Sequence, residues 1–182
     1  MNTISNDGQT ERATVRGGTT SAPSFFPKVS VVVPALNEEV NLRLVLDRIP
    51  NWVDEILLVD GHSTDGTLKV TCDLRPNARI VEQKGKGKGA ALRNGFAAAT
   101  GDIIVMLDAD GSTLPEEIPA YVGTLLAGAD YAKGSRFLQG GGTDDMPIHR
   151  RLGNWAFVTI VRVLFGGHFS DLLYGYNAFW AR

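Results

Sequence analysis

The sequence predicts an α/β protein with a doubly wound, mostly parallel sheet and helices on both faces. Short apolar runs that suit buried parallel strands alternate with segments of helical character. The spacing of these runs fits strand–helix–strand units. Polar residues also cluster directly after the runs, where sheets of this class bind their ligands.

Four apolar runs supply the predicted strands. They are Val29–Val33, Glu55–Val59, Ala78–Glu82 and Ile103–Leu107. Each is as short as a buried strand should be, and helix-like segments separate them. Tyr131–Lys133 is a candidate fifth strand.

Helical segments lie between and after these runs. Asn37–Arg48 carries closely spaced apolar residues, and Thr67–Leu74 follows residues that favour a helix cap. Gly89–Ala99 is rich in alanine. Pro115–Leu126 opens with proline and two glutamates, which suit a first helical turn. The last segment, Ile148–Phe165, mixes apolar and basic residues.

The chain has 182 residues, a length that suits one domain with one hydrophobic core. Its N-terminal stretch is rich in Thr, Ser, Gly and Asn, so we predict a disordered tail over residues 1–27. The domain then covers residues 28–182. Because the chain stops after Asn177–Arg182 without a polar tail, we predict that this domain is truncated at its C-terminal end.

Composition narrows the partners and the location. The formal charge is −2, so the basic footprint of a nucleic-acid-binding protein is missing. The single cysteine, Cys72, excludes an internal disulfide and favours a reducing, cytoplasmic setting. Its place in a helical segment predicts a core position. The chain has no run of the roughly 18 apolar residues that a transmembrane span needs.

Asp108-Ala109-Asp110 is the sharpest chemical motif. It follows the most apolar run, Ile103–Leu107, and residues two apart in an extended chain point the same way. Both carboxylates therefore face one site, where they would repel each other without a cation. Hard oxygen ligands suit Mg²⁺ or Mn²⁺, which would neutralise a diphosphate leaving group. The alternative is a loop with two solvated acids or a helix cap.

Other polar features have two interpretations each. Asp60 ends the second strand, where it can accept a hydrogen bond from a nucleobase or cap the following turn. Lys84–Gly89 precedes a helix and favours phosphate, although it lacks the spacing of a P-loop and suits a solvated turn equally well. Arg136, Arg150 and Arg151 suit phosphate recognition or ordinary surface charge.

Four segments, in this order, resemble the family 2 glycosyltransferases, whose nucleotide-binding fold is called GT-A. They are Val31–Glu39, Val59–Thr67, Gly87–Gly95 and Leu107–Asp110. Within that family the chain is similar to dolichyl-phosphate mannose synthases and related polyprenyl-phosphate glycosyltransferases. Gly134–Arg136 and Asp171–Tyr176 carry this narrower similarity.

The resemblance implies an inverting transfer of a hexose from a UDP- or GDP-linked donor to a polyprenyl phosphate, with Mg²⁺ or Mn²⁺. It implies a nucleotide-sugar site formed by Pro34, Ala35, Leu36, Glu38, Asp60, Lys88, Asp108 and Ala109. Asp108 and Asp110 would hold the metal, and together with Arg136 they form the implied catalytic set. Arg136, Arg150 and Arg151 would bind the acceptor phosphate. An ionised phosphate needs no strong base, so catalysis would rest on positioning and charge neutralisation.

Two departures from the mannose synthases bear on substrate choice. Ser112 stands where those enzymes often have a metal-binding Gln, and Tyr174–Tyr176 stands where they read Ser-Gly-Phe. The alternatives are a family 2 transferase that acts on a glycan or small-molecule hydroxyl, a non-catalytic nucleotide-sugar-binding fragment and, least favoured, a nucleotidyltransferase. A hydroxyl acceptor would need a carboxylate base, for which Asp144, Asp145 and Asp171 are the candidates.

The segment Arg151–Phe165 is predicted to form a helix that lies on a bilayer surface and does not cross it. Arg150, Arg151 and Arg162 would meet lipid headgroups, and the loop Gly140–Asp145 would close over the acceptor. The predicted apolar contacts are Trp155, Phe157, Val158, Ile160, Val161, Val163, Leu164 and Phe165. Packing of this helix on the sheet is the alternative. The predicted location is therefore cytoplasmic, at the cytosolic face of a membrane.

Overall fold

The structure, a computed structural model, describes residues 26–137, 148–166 and 170–181, without the side chains of residues 148–151. Within these residues the strands are β1 (Val29–Ala35), β2 (Glu55–Asp60), β3 (Arg79–Glu82), β4 (Ile103–Met106), β5 (Tyr131–Lys133) and β6 (Asn177–Trp180). The helices are α1 (Leu42–Leu46), α2 (Thr67–Leu74), α3 (Lys88–Ala98), α4 (Ile118–Leu126) and α5 (Ile148–Phe165). A 3₁₀ turn, Pro115–Glu117, leads directly into α4.

These strands form one sheet in the order β3-β2-β1-β4-β6-β5. β1, β2, β3 and β4 are parallel, so their carboxyl ends meet at one edge of the sheet. At that edge Ala35 lies opposite Asp60. β6 runs antiparallel to both of its neighbours, β4 and β5. The predicted doubly wound, mostly parallel fold class is confirmed.

Helices cover both faces of the sheet because successive side chains of a strand point in opposite directions. Val31 and Val33 belong to a core that includes residues of α1, α2 and α4, whereas Val32 belongs to a second core with α3. Gly95 allows α3 to lie close to the sheet, since a Cβ at this position would overlap Val32. α3 follows β3 directly, so its first residue lies at the carboxyl edge.

Two predictions about local structure are wrong, and one strand is not predicted. α1 begins at Leu42 and not at Asn37, because Asn37 adopts a left-handed φ of +56° and residues 39–41 form a turn. β6 is a strand that the apolar pattern does not predict. Cys72 is exposed, because the residues that α2 buries are Thr67, Val70 and Thr71.

Some predictions fall outside the described residues. They include most of the tail over residues 1–27 and the loop Gly140–Asp145, with Asp144 and Asp145. The division of the chain into a tail and one truncated domain remains a prediction.

Candidate functional site

A pocket opens at the carboxyl edge of the sheet, where β1 and β4 end and α3 begins. Its lining residues are Pro34, Ala35, Leu36, Glu38, Gln83, Lys88, Ala91, Asp108, Ala109 and Asp110. Eight of these residues are predicted from sequence as donor or metal residues, all but Gln83 and Ala91. The structure therefore brings together the predicted donor residues except Asp60. Which ligand they bind remains a prediction.

The turn after β1 is fixed by hydrogen bonds to the turn after β2. The Asn37 N–H donates to Ser63 Oγ (3.0 Å), and the Thr64 N–H donates to Asn37 Oδ1 (2.8 Å). The Glu38 N–H donates to the hydroxyl of Thr67 (2.8 Å). These bonds satisfy backbone groups outside the sheet and hold Glu38 at the wall of the pocket.

Asp60 lies at the same edge but does not line the pocket. It is buried, and its carboxylate accepts the Ser63 N–H at 3.1 and 3.3 Å. This is the turn-capping interaction that the sequence offers as one interpretation of Asp60. Contact with a nucleobase remains a prediction for this residue.

The two carboxylates of the acidic motif line one pocket, in the turn that follows β4. Asp108 is mostly covered and accepts a hydrogen bond from Lys88 Nζ at 2.5 Å. Asp110 is exposed and accepts the Ser112 N–H at 2.9 Å. Gly111 makes this turn with φ of +78°, a conformation that favours glycine.

These two carboxylates suit a divalent cation that also binds its substrate. In the described part of the chain no group of three or more His, Cys, Asp or Glu residues is arranged to hold a metal. Mg²⁺ commonly takes one or two protein carboxylates and completes its shell with waters and substrate phosphate oxygens. Asp108 and Asp110 match that donor set, and Lys88 already places a cation beside Asp108.

Gln83 shapes the lysine-rich loop, Lys84–Gly89, and is a pocket residue without a role predicted from sequence. Its Nε2 donates to the carbonyls of Gly85 (3.0 Å) and Gly87 (3.3 Å), both of which have positive φ. These bonds curl the loop so that Lys88, the first residue of α3, lies over the pocket. A signal was present, because Gln83 is the first polar residue after β3 and so obeys the strand-end rule.

Arg136 lies on the other side of the site and pairs with Asp171. Its Nε and Nη2 atoms donate to the two carboxylate oxygens at 2.8 and 3.2 Å. Asp171 is almost fully buried, at 1% exposure. Burial raises the pKa of its carboxyl, but hydrogen bonds and charge from Arg136 outweigh this and hold that pKa below its usual value.

The pairing of β5 with β6 explains why these distant residues meet. Lys133 lies opposite Asn177, so the residues after β5 run beside the residues before β6. In this segment the Tyr174 ring lies 5.1 Å from Cζ of Arg136. Gly175 packs against the Asp108 carboxylate, which a Cβ at that position would overlap. Gly175 has no role predicted from sequence, because only the fold brings it to the acidic motif.

Two of the predicted acceptor-phosphate residues, Arg150 and Arg151, belong to α5. The side chains of Arg150 and Arg151 lie outside the described residues. α5 itself is attached through the buried Asn154, whose Oδ1 accepts the Leu172 N–H (3.2 Å). Val158 is buried at 6% exposure, so it does not belong to the predicted membrane contact.

The outer side of α5 is apolar. Its exposed large residues are Leu152, Trp155, Phe157, Ile160, Val163, Leu164 and Phe165. Among the helices of the described ranges, none is both long and apolar enough to span a bilayer.

Comparison with known proteins gives a family match over most of the chain. The protein-family model described as "Glycosyl transferase family 2" matches residues 30–176. A dolichol-phosphate mannosyltransferase of Pyrococcus furiosus is 36% identical over 143 residues, 75% of this chain and 41% of that protein. A polyprenol monophosphomannose synthase of Mycolicibacterium smegmatis is 33% identical over 82% of this chain and 60% of its own length. The chain thus spans about half the length of these relatives.

Solved structures give a related result. A glucosyl-3-phosphoglycerate synthase of Mycobacterium tuberculosis, crystallised with Mn²⁺, UDP-glucose and phosphoglyceric acid, superposes with a TM-score of 0.67 at 31% identity. The match covers 85% of this chain and 57% of that one. The same enzyme has also been crystallised with Mg²⁺ and UDP, where the TM-score is 0.62.

Proposed function

The chain belongs to glycosyl transferase family 2, and from that premise we propose that it transfers a hexose from a nucleotide diphosphate sugar to a polyprenyl phosphate, with inversion. One observation carries the proposal. Asp108, Asp110 and Lys88 line a single pocket with the Pro34–Glu38 turn, at the edge where doubly wound sheets bind ligands. Two relatives named for transfer to polyprenyl lipids support the choice of acceptor.

The donor would bind across the carboxyl edge. The Pro34–Glu38 turn contacts the nucleoside, and Asp60 lies beneath it at the end of β2. Lys88, at the start of α3, would leave its ion pair with Asp108 and pair with the donor diphosphate. Its positive charge would then offset the negative charge of the diphosphate. Mg²⁺ or Mn²⁺, held by Asp108 and Asp110, would supply further neutralisation of the leaving diphosphate.

The reaction itself is one displacement. An oxygen of the acceptor phosphate attacks the anomeric carbon, and the bond from that carbon to the donor diphosphate breaks. The electron pair of the broken bond leaves with the nucleoside diphosphate. A phosphate monoester, whose second pKa is about 6, is mostly a dianion at neutral pH, so no general base is required. Arg136 orients this acceptor, and Arg150 and Arg151 remain predicted partners.

The acceptor lipid makes contact with a membrane surface part of the proposal. Among its described side chains α5 has seven large apolar ones that are exposed, and its sequence contains no acidic residue. A helix of this composition favours the interface of an anionic bilayer. Flotation with anionic vesicles tests it: the parent chain should float, and a Trp155→Glu/Leu164→Glu variant should float less. Recovery of the parent wholly in the unbound fraction would contradict it. A cytosolic location remains a prediction.

A small-molecule acceptor is the second candidate, because the structural neighbour described above was solved with phosphoglyceric acid. A hydroxyl acceptor needs a carboxylate base. Asp171, one of the three predicted candidates, is engaged by Arg136 through both of its oxygens. Its lowered pKa also makes it a weak base. These facts favour the phosphate acceptor.

A substrate screen tests the proposal. UDP- and GDP-hexoses are supplied with Mg²⁺ or Mn²⁺ and with farnesyl phosphate, farnesol or phosphoglyceric acid, and nucleoside diphosphate release is measured. Transfer to farnesyl phosphate but not to farnesol is expected. Transfer to phosphoglyceric acid alone would favour the second candidate. Metal-dependent donor binding without any transfer would favour the non-catalytic binding fragment.

A further inference from the structure

Tyr174 lies between the two halves of the site. Cζ of Arg136 lies 5.1 Å from the centroid of its ring. Its hydroxyl donates to the carbonyl of Ser112 at 3.4 Å, and the Ser112 N–H in turn donates to Asp110. One side chain thus contacts both the arginine of the acceptor side and the turn that carries the acidic motif.

The guanidinium of Arg136 is held from two directions. Asp171 binds its edge through Nε and Nη2, and the Tyr174 ring faces it. A guanidinium has five N–H donors, and these bonds to Asp171 use two of them. The other three are left for a ligand, within the described part of the chain. The orientation of Arg136 is therefore set by its neighbours before any ligand binds.

Tyr174 is itself firmly placed. Its carbonyl accepts a hydrogen bond from Lys133 Nζ at 2.9 Å. Gly134 packs against its ring, and a Cβ on Gly134 would stand only 2.8 Å from two ring carbons. Burial raises the pKa of Tyr174 to about 12, so the hydroxyl remains a neutral donor at physiological pH.

We infer that Tyr174 is a positioning residue for the acceptor phosphate: its ring holds the Arg136 guanidinium in one orientation beside the site. The inference rests on the proposed function, since it assigns a phosphate to Arg136. It goes beyond that function in naming the residue that sets the orientation of Arg136. A cation–π contact of this kind contributes the binding energy of about a two- to thirtyfold change in affinity.

The test compares Tyr174→Ala and Tyr174→Phe in steady-state transfer to farnesyl phosphate. Tyr174→Ala should raise the KM for farnesyl phosphate by about two- to thirtyfold and leave the KM for the donor unchanged. Tyr174→Phe keeps the ring, so it should restore most of the acceptor KM. Tyr131→Phe is the matched control, because it removes a hydroxyl bond to Asn177 on the same strand pair without touching Arg136.

The outcomes separate this inference from the proposed function. If the parent transfers to farnesyl phosphate and Tyr174→Ala has an unchanged acceptor KM, only the positioning role is overturned. The same holds if Tyr174→Ala raises both KM values equally, which would indicate a general structural role. A parent that neither binds farnesyl phosphate in calorimetry nor transfers to it overturns the proposed function and this inference together.

Discussion

Glu55 at the amino-end edge of the sheet differs in hydrogen bonding from the acidic pair at the carboxyl edge. The Glu55 carboxylate accepts hydrogen bonds from three residues, whereas its neighbours Asp54 and Asp102 each accept one, from the Val29 N–H and the Lys28 N–H. At the carboxyl edge, Asp108 and Asp110 each accept one hydrogen bond from described residues. An ionised carboxylate has about four acceptor positions, so the carboxyl edge retains unused capacity.

Glu55 is the most extensively hydrogen-bonded of these carboxylates. Its carboxylate accepts the Ser30 hydroxyl (2.6 Å) and the Thr100 N–H (2.8 Å), and it pairs with Arg79. These bonds tie three neighbouring parts of the chain together. The number of acceptor positions that the protein itself fills therefore separates Glu55 from Asp108 and Asp110.

The largest expected effect comes from removing a carboxylate that accepts few hydrogen bonds from the protein. Asp110→Ala should abolish metal-dependent donor turnover, by on the order of a thousandfold, because the diphosphate charge would lose several kcal/mol of compensation. Turnover is measured as nucleoside diphosphate release, and donor binding by calorimetry, each with and without Mg²⁺ or Mn²⁺. The exposed Asp73 of α2 supplies the control, Asp73→Ala, which should behave as the parent. Parental turnover in a folded Asp110→Ala variant would refute the metal assignment.

Gly175→Ala moves the other carboxylate without removing it. The new Cβ would overlap the Asp108 carboxylate, which must then turn away from the pocket. A displacement of this size costs roughly ten- to a hundredfold in donor turnover, because a misplaced group loses most of its effect. Thermal stability should change little, since the atoms that move lie at a side-chain end.

Gly123→Ala in α4 is the control for that experiment. A Cβ at Gly123 meets nothing within 4 Å, so activity should be parental. Its stability should rise by about 0.5–1 kcal/mol, because alanine favours a helix over glycine. Equal losses of activity in both variants would show that the contact with Asp108 is not the cause.

Asp60→Ala tests whether an acidic residue at the carboxyl edge can be structural, because Asp60 lies at that edge yet caps a turn. If it also binds the donor, its loss should weaken donor affinity by roughly tenfold, the value of one hydrogen bond to a charged group. Lower melting temperature with unchanged donor affinity in Asp60→Ala would make it purely structural.

The smallest effect is expected from substitution of Glu55, whose carboxylate accepts hydrogen bonds from three residues. Burial raises the pKa of Glu55, but hydrogen bonds from Ser30, Thr100 and Arg79 together outweigh this effect. The pKa of Glu55 therefore lies below its usual value. The ionised form therefore stabilises the fold above the unfolded pKa of about 4.3, and this is lost as pH falls through the folded value. Glu55→Gln should cost about 1–2 kcal/mol at pH 7 and less near pH 3.

Melting curves at the two pH values measure this difference. The exposed Glu82 gives the control, Glu82→Gln, whose stability should match the parent at both pH values. Turnover per folded molecule should be unaffected in both variants. A Glu55→Gln variant that loses the same stability at pH 3 as at pH 7 would contradict the assigned pKa shift.

The pocket at the carboxyl edge is the part of the site whose position the sequence predicts well. Its residues lie at or directly after strand ends, so the strand-end rule alone places Pro34–Glu38 and Asp108–Asp110 together. The surroundings of Arg136 are different. Arg136 and Asp171 meet only because β6 enters the sheet beside β5, and four residues of mixed polarity give no periodic signal for that strand. Long-range pairing of this kind is not encoded in local pattern.

The two departures from the mannose synthases also meet in the fold. The hydroxyl of Tyr174 donates to the carbonyl of Ser112. Sequence treats positions 112 and 174 as separate, because no local rule connects them. Because these two residues are in contact, an experiment that aims to change donor or acceptor preference should substitute them together.

The position of β6 also has a consequence for biosynthesis. The ribosome releases β5 before β6, yet β6 lies between β4 and β5 in the finished sheet. Until Asn177–Trp180 emerges, β4 presents an unpaired edge and β5 has no neighbour within the described sheet. Exposed strand edges invite association between nascent chains. A shortened polypeptide that stops before Asn177 would therefore keep the residues that line the pocket but should aggregate on synthesis, which pelleting from a cell-free translation reaction would reveal.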